Sequence, residues 1–157
     1  MKSLLIPIAA CVLFASPIAS AKDAAVEAPI KAMMVGFNTG DIAAVKALHV
    51  AAPTIVDEIA PFRWSGPNAF DSWLGDLGKS EAAEGKTKGV VWFGTPVREE
   101  VVGDHAYVVT PCSYTYTQKG KRFRESGLAT FVLVKVGADW KIESWTWASP
   151  AGVLVKK

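Results

Sequence analysis

The chain has 157 residues, half of them hydrophobic and 20% charged, with a formal net charge of +2. That length fits one domain, and that composition buries a core and excludes a disordered chain. A charge so small and so evenly spread excludes an electrostatic nucleic-acid binder, so no nucleic-acid partner is expected.

Residues 1–21 read as a secretory signal. Lys2 gives the positive start, Leu4 to Ile18 is almost wholly apolar, and Ala19-Ser20-Ala21 supplies the small-x-small pattern read by signal peptidases. Cleavage after Ala21 leaves a domain over 22–157 that is periplasmic or secreted. The apolar run is short and interrupted by Pro7 and Pro17, so no stable membrane span is expected after cleavage. Ile8-Ala9-Ala10-Cys11 resembles a lipobox, but most of the apolar run follows it. The cleaved chain keeps one cysteine, Cys112, in an apolar stretch that predicts a buried, inert thiol.

Val26, Ile30, Met33 and Phe37 recur at helical spacing and predict a helix over Asp23 to Asn38. Gly40 is placed to end it in a left-handed conformation, and Asp41 to cap a short second helix carrying Ile42, Val45, Leu48 and His49. Pro53 breaks that helix, Thr54-Ile55-Val56 reads as a strand, and Phe62-Arg63-Trp64 as another. Ser65-Gly66-Pro67 starts a third helix through Phe70, Trp73, Leu74 and Leu77. The polar segment Gly78 to Lys88 reads as a loop. Then come four long strands with tight turns: Val90–Val102, Ala106–Gln118, Arg122–Val136 and Trp140–Ala148. Helices against one face of a curved antiparallel sheet follow, an α+β domain.

No Cys/His pair with metal spacing and no glycine-rich phosphate loop occurs, so neither a metal nor another cofactor is expected. His49 and His105 are the only histidines, which leaves a Ser-His-Asp triad without support. Lys119, Lys121, Arg122 and Arg124 surround one hairpin turn and read as a solvated tip.

The element order resembles the nuclear transport factor two-like superfamily, with its SnoaL-like and ketosteroid isomerase-like members. The resemblance is carried by Phe37-Asn38-Thr39-Gly40-Asp41 between the first two helices, by Pro53-Thr54-Ile55-Val56-Asp57 followed by Ser65-Gly66, and by Trp140-Lys141-Ile142 opening the last strand. It implies a cone, also described as a cystatin-like roll: a strongly curved, mostly antiparallel sheet wrapped around N-terminal helices. Its pocket would lie at the open end, and a homodimer would form through the exposed sheet face.

The resemblance places Asp57 where isomerase-like members keep a general base; the plainer alternative is a strand-end carboxylate, solvated or paired with Arg63. The isomerase's two oxyanion donors fall at Met33 and Ala129, neither of which donates a hydrogen bond, so steroid isomerisation by that mechanism is not expected. Tyr114, Tyr116 and His49 are replacement donors to consider. Trp145 and Trp147, two apart with Glu143 on one face of the last strand, are expected by resemblance to line the cavity with Phe131 and Gly127. Trp64, Trp73 and Trp92 suit core or interface, with Trp64 also a candidate wall ring. Together these residues suggest a small hydrophobic or aromatic ligand. An enzyme of isomerase, cyclase or dehydratase type using Asp57 is the rival, and a filled-cone interaction module is the third alternative.

Overall fold

Asp23 caps the first helix, α1 (Ala24–Thr39): its side chain accepts from the Ala25 amide at 2.9 Å. Gly40 closes α1 at φ 77°, and Asp41 caps α2 (Ile42–Ala47) through the Ala44 amide at 3.0 Å. The bounds of α1 and the two caps match the sequence expectations to within a residue. This computed structural model describes residues 23–155; residues 1–21, where an export signal is expected, and the expected cleavage after Ala21 lie outside the described residues. Among the described residues no helix is long and apolar enough to cross a membrane.

The chain then forms β1 (His49–Val56), β2 (Arg63–Ser65), α3 (Ala69–Glu84), β3 (Lys86–Phe93), β4 (Arg98–Val102), β5 (His105–Gln118), β6 (Lys121–Val136), β7 (Asp139–Ala148) and β8 (Val153–Leu154). The main sheet runs β2-β1-β7-β6-β5-β3, with β4 also on β5 and β8 on β6. All pairings are antiparallel except β1 with β7, which is parallel. The curved, unclosed sheet packs the inward faces of α1 and α3 into one core with Val26, Ile30 and Met33 from α1, Phe70 and Trp73 from α3, and Phe131, Leu133 and Ile142 from the strands.

Four sequence expectations change. The segment Gly78–Lys88 is not a loop: α3 continues to Glu84, ends on Gly85 at φ 68°, and β3 starts at once with Lys86. The polar residues there are good helix formers, and Gly75 and Gly78 have open space around them. The run Val90–Val102 is two strands, because Gly94-Thr95-Pro96 interrupts it and Pro96 has no amide to give a ladder. His49 leaves α2 and opens β1, pairing with Ile142. Glu143 does not share a face with Trp145. Ile142 pairs with Leu133 and Ser144 with Val132, so Glu143 is the extra residue of a bulge that reverses the alternation and turns it to solvent.

Candidate functional site

Cross-strand register lays the inner face of the sheet out as rungs. The deepest here runs Ile55–Trp145–Phe131–Val108, all nearly or fully buried. One step toward the open end, Trp147 pairs with Ala129, and Asp57 follows β1 two residues after Ile55. Next comes Gly127–Cys112–Phe93, and then Glu125–Tyr114–Val91. The floor is therefore hydrocarbon and the mouth carries charge. Above the outer rungs lies a cavity of about 300 Å³, roofed by Met33 and Phe37 of α1 and by Trp73, Leu77 and Glu81 of α3. That volume is at the small end of ligand cavities.

Asp57 is fixed on the cavity wall. Its Oδ2 accepts from the Trp73 indole N–H at 2.7 Å and its Oδ1 from the Glu58 amide at 2.6 Å. Burial raises its pKa; those two hydrogen bonds pull it back, and the charge of Glu125 adds to the rise. Glu58 stands beside it, accepting from the Ser149 hydroxyl at 2.9 Å. Desolvation, with Glu125 and Asp57 close by, pushes Glu58 up to about 7 against the pull of Ser149. Glu125 is 5% exposed and meets Lys86 Nζ at 3.3 Å, while Lys86 also reaches Glu84 at 3.2 Å and lies 4.6 Å from the centre of the Tyr116 ring. Burial pulls Lys86 down, but Glu125 and Glu84 outweigh it and hold the ammonium above its ordinary value. Tyr114 donates its hydroxyl to Glu81, and burial followed by that carboxylate raises its pKa strongly.

Aromatic rings form the remaining wall. Trp73 and Trp145 meet edge to face at 4.9 Å, and Phe93 and Trp147 at 6.2 Å. The indole N–H of Trp145, a residue 4% exposed, has no hydrogen-bond partner among the described residues.

The family model of the SnoaL-like domain matches residues 26–151. The chain belongs to the SnoaL-like family. Among solved structures, its fold is similar to the hexachlorocyclohexane dehydrochlorinase LinA-type3 of Novosphingobium barchaimii LL02, with TM-score 0.70 and 10% identity over 84% of this chain and 88% of that one. It is also similar to an NTF2-like protein with a cystatin-like fold from Novosphingobium aromaticivorans, with TM-score 0.63 and 14% identity over 78% and 77%. A ketosteroid isomerase-like protein from Erwinia carotovora atroseptica matches with TM-score 0.59 and 18% identity over 85% and 96%. Identities this low carry the fold alone. Among curated proteins none matches the sequence.

The SnoaL-like cone brings Asp57, Tyr114, Trp145 and Trp147 to one cavity, but leaves other expected residues outside its lining. Phe131, on the rung of Trp145, is fully buried and lies edge-on to Phe93 at 5.4 Å, outside the lining. Gly127 lets the chain cross: a Cβ there would collide with the Ala148 carbonyl. Tyr116 stacks on Phe123 and lies under Gly152 of the C-terminal segment. Trp64 ties β2 to α3 by donating to Asp76 at 3.0 Å. His49 sits at the far end of β1, its Nδ1 3.0 Å from the Val45 carbonyl oxygen and its ring against Phe70, and burial lowers its pKa. It is no donor to this cavity. Arg63 is exposed, and the partners of Asp57 are Trp73 and the Glu58 amide instead.

Trp73, assigned to core or interface from sequence, proves to be both wall and anchor of Asp57. Glu58, Glu81, Lys86 and Glu125 also line the cavity, and two of them carry a sequence signal. Glu81 continues the stripe Phe70, Trp73, Leu74, Leu77 by one more turn. Glu125 shares the inward parity of Gly127, Ala129 and Phe131 on β6, and a charge at such a position marks a site. Met33 lines the cavity and Ala129 is buried, and neither side chain has a hydrogen to donate. Cys112 is 2% exposed and its thiol is pushed up to about 12, chiefly by burial.

Proposed function

We propose that this SnoaL-like domain is an exported, dimeric binder of a small flat molecule held in the cone. The ligand lies against Trp73, Trp145 and Trp147 and turns its polar end to Asp57. The observation that carries this reading is the seat of Asp57: two donors hold a carboxylate on the wall of an aromatic cavity of about 300 Å³. Export rests on residues 1–21. Dimerisation is supported by Val90, Trp92 and Leu128, all exposed, whose register puts them on the outer face of the sheet. Native mass spectrometry of protein purified from the periplasm tests all three points. A dimer of chains starting at Lys22 with an added small mass is expected; monomeric, uncleaved and ligand-free protein would sink the reading.

One observation favours a second reading, an enzyme of isomerase, cyclase or dehydratase type. Asp57 has its pKa raised by burial, which is how a carboxylate becomes a useful base toward a carbon acid. Glu58, pushed up to about 7, is then the proton donor that Met33 and Ala129 are not. Asp57→Asn separates the two readings. An enzyme loses turnover by roughly 10²-fold or more, whereas a binder loses affinity only modestly.

A further inference from the structure

We propose that the C-terminal segment Ser149–Val155 is a strap across the cavity rim, tied down by Ser149 while Glu58 is ionised and let go when Glu58 takes up a proton. This goes beyond the binding reading and holds for a binder and an enzyme alike.

The strap touches the cavity lining at Trp147, Glu58 and Glu125. The indole N–H of Trp147 donates to the Ser149 hydroxyl oxygen at 2.9 Å, and that hydroxyl donates to Glu58 Oε2 at 2.9 Å. Further on, Gly152 passes so near the Tyr116 hydroxyl and the Glu125 side chain that a Cβ there would stand 2.4 Å and 3.3 Å from them. The strap then ends as β8, with Leu154 opposite Phe123 and the Val155 amide donating to the Arg122 carbonyl at 2.9 Å. Burial holds it weakly, because Pro150, Ala151, Val153, Leu154 and Val155 are all exposed. A segment of that kind opens at small cost, so one strong hydrogen bond decides whether it stays.

Ser149 makes that bond well in only one protonation state of its partner. A hydroxyl donating to a carboxylate forms a charge-assisted bond, about twice as strong as one to a neutral group. The protonated acid also has a second place to turn. Glu125 lies within hydrogen-bonding reach, and that contact favours protonated Glu58. Taking up a proton therefore moves Glu58 from Ser149 to Glu125, a two-position element with one proton as its trigger. Glu58 also faces Asp57 on its own segment, its charge reaches Cys112 of β5, and Lys86 of β3 stands beyond Glu125. Burial, with the charges of Glu125 and Asp57, pushes its pKa up to about 7, so the exchange falls near neutrality.

The test needs no ligand: amide exchange of the whole mature protein, followed by NMR and corrected for intrinsic rates. Protection of the Val155 amide should be roughly fivefold or more higher at about pH 8.5 than at about pH 5.5. The Trp147 indole N–H shift should titrate with the same midpoint. The contribution of Glu58 to global stability runs the other way, lost as pH rises through about 7, so its effect on the whole fold does not produce this pattern. Ser149→Ala should remove the dependence and raise the Glu58 midpoint in carboxyl-carbon NMR, while the Phe131 and Leu133 amides stay as protected as before. Ser149→Thr should restore the dependence. Val155 protection that is equal at the two pH values, or greater at the lower one, would overturn the strap. So would a pH dependence that survives in Ser149→Ala.

Discussion

The floor and the mouth of the cone are made by the same strands with the same alternation, yet they do opposite work. At the floor, Phe131, Leu133 and Ile142 are fully buried within the hydrophobic core. A few residues along β5 and β6, the same inward positions hold Tyr114 and Glu125, and α3 brings Glu81 over them. The floor gains free energy from burial; the mouth spends some of it keeping like charges close. Stability and chemistry are thus separated along the length of each strand rather than assigned to different elements.

Substitutions at the two ends should separate in the same way. The largest effect belongs to the floor. Phe131→Ala leaves a void beneath Phe93 and should cost about 3–5 kcal/mol, read as a lowered urea midpoint with an unchanged slope. Gly89→Ala, at the mouth, should cost on the order of 1 kcal/mol, because the new Cβ runs into the Tyr114 phenol and forces it off Glu81. Its larger consequence should be lost ligand affinity, measured by tryptophan fluorescence titration. Glu125→Gln should change stability least at acid pH and change its pH dependence most. Glu58 has its pKa raised in the folded state, so its contribution is fully present below the ordinary carboxylate value and lost as pH rises through about 7. Removing the charge of Glu125 should bring Glu58 back toward the ordinary range and flatten that loss, which carboxyl-carbon NMR and urea melts at about pH 5 and about pH 8 would both register. A Glu125→Gln protein whose urea midpoint still falls through neutrality would break the contrast between the two ends.

The same contrast explains what could be read in advance. The floor announces itself through period: Val26, Ile30 and Met33 at helical spacing, and the alternating apolar positions of β5 and β6. Asp57 was legible only because a resemblance pointed to it. Glu81 and Glu125 obeyed the same periodicities but were polar, and polarity alone reads as loop or surface. Lys86 opens β3 directly after α3, inside a polar stretch whose composition does not show where the helix ends. His49 and Trp64 were drawn toward the site by residue type, whereas their distance from it depends on how far β1 and β2 extend across the sheet. The bulge at Glu143 leaves no mark in the residues themselves, since its cause is the register between two strands.

The parallel pairing of β1 with β7 also predicts an order of assembly. The hairpin of β5 and β6 is local and can form early, but β1 waits for a partner from the last long strand, and β7 occupies the middle of the sheet. Until β7 docks, Asp57 has no Trp147 beside it and Trp73 no Trp145 to meet, so the aromatic wall is expected to be completed at the long-range step of folding.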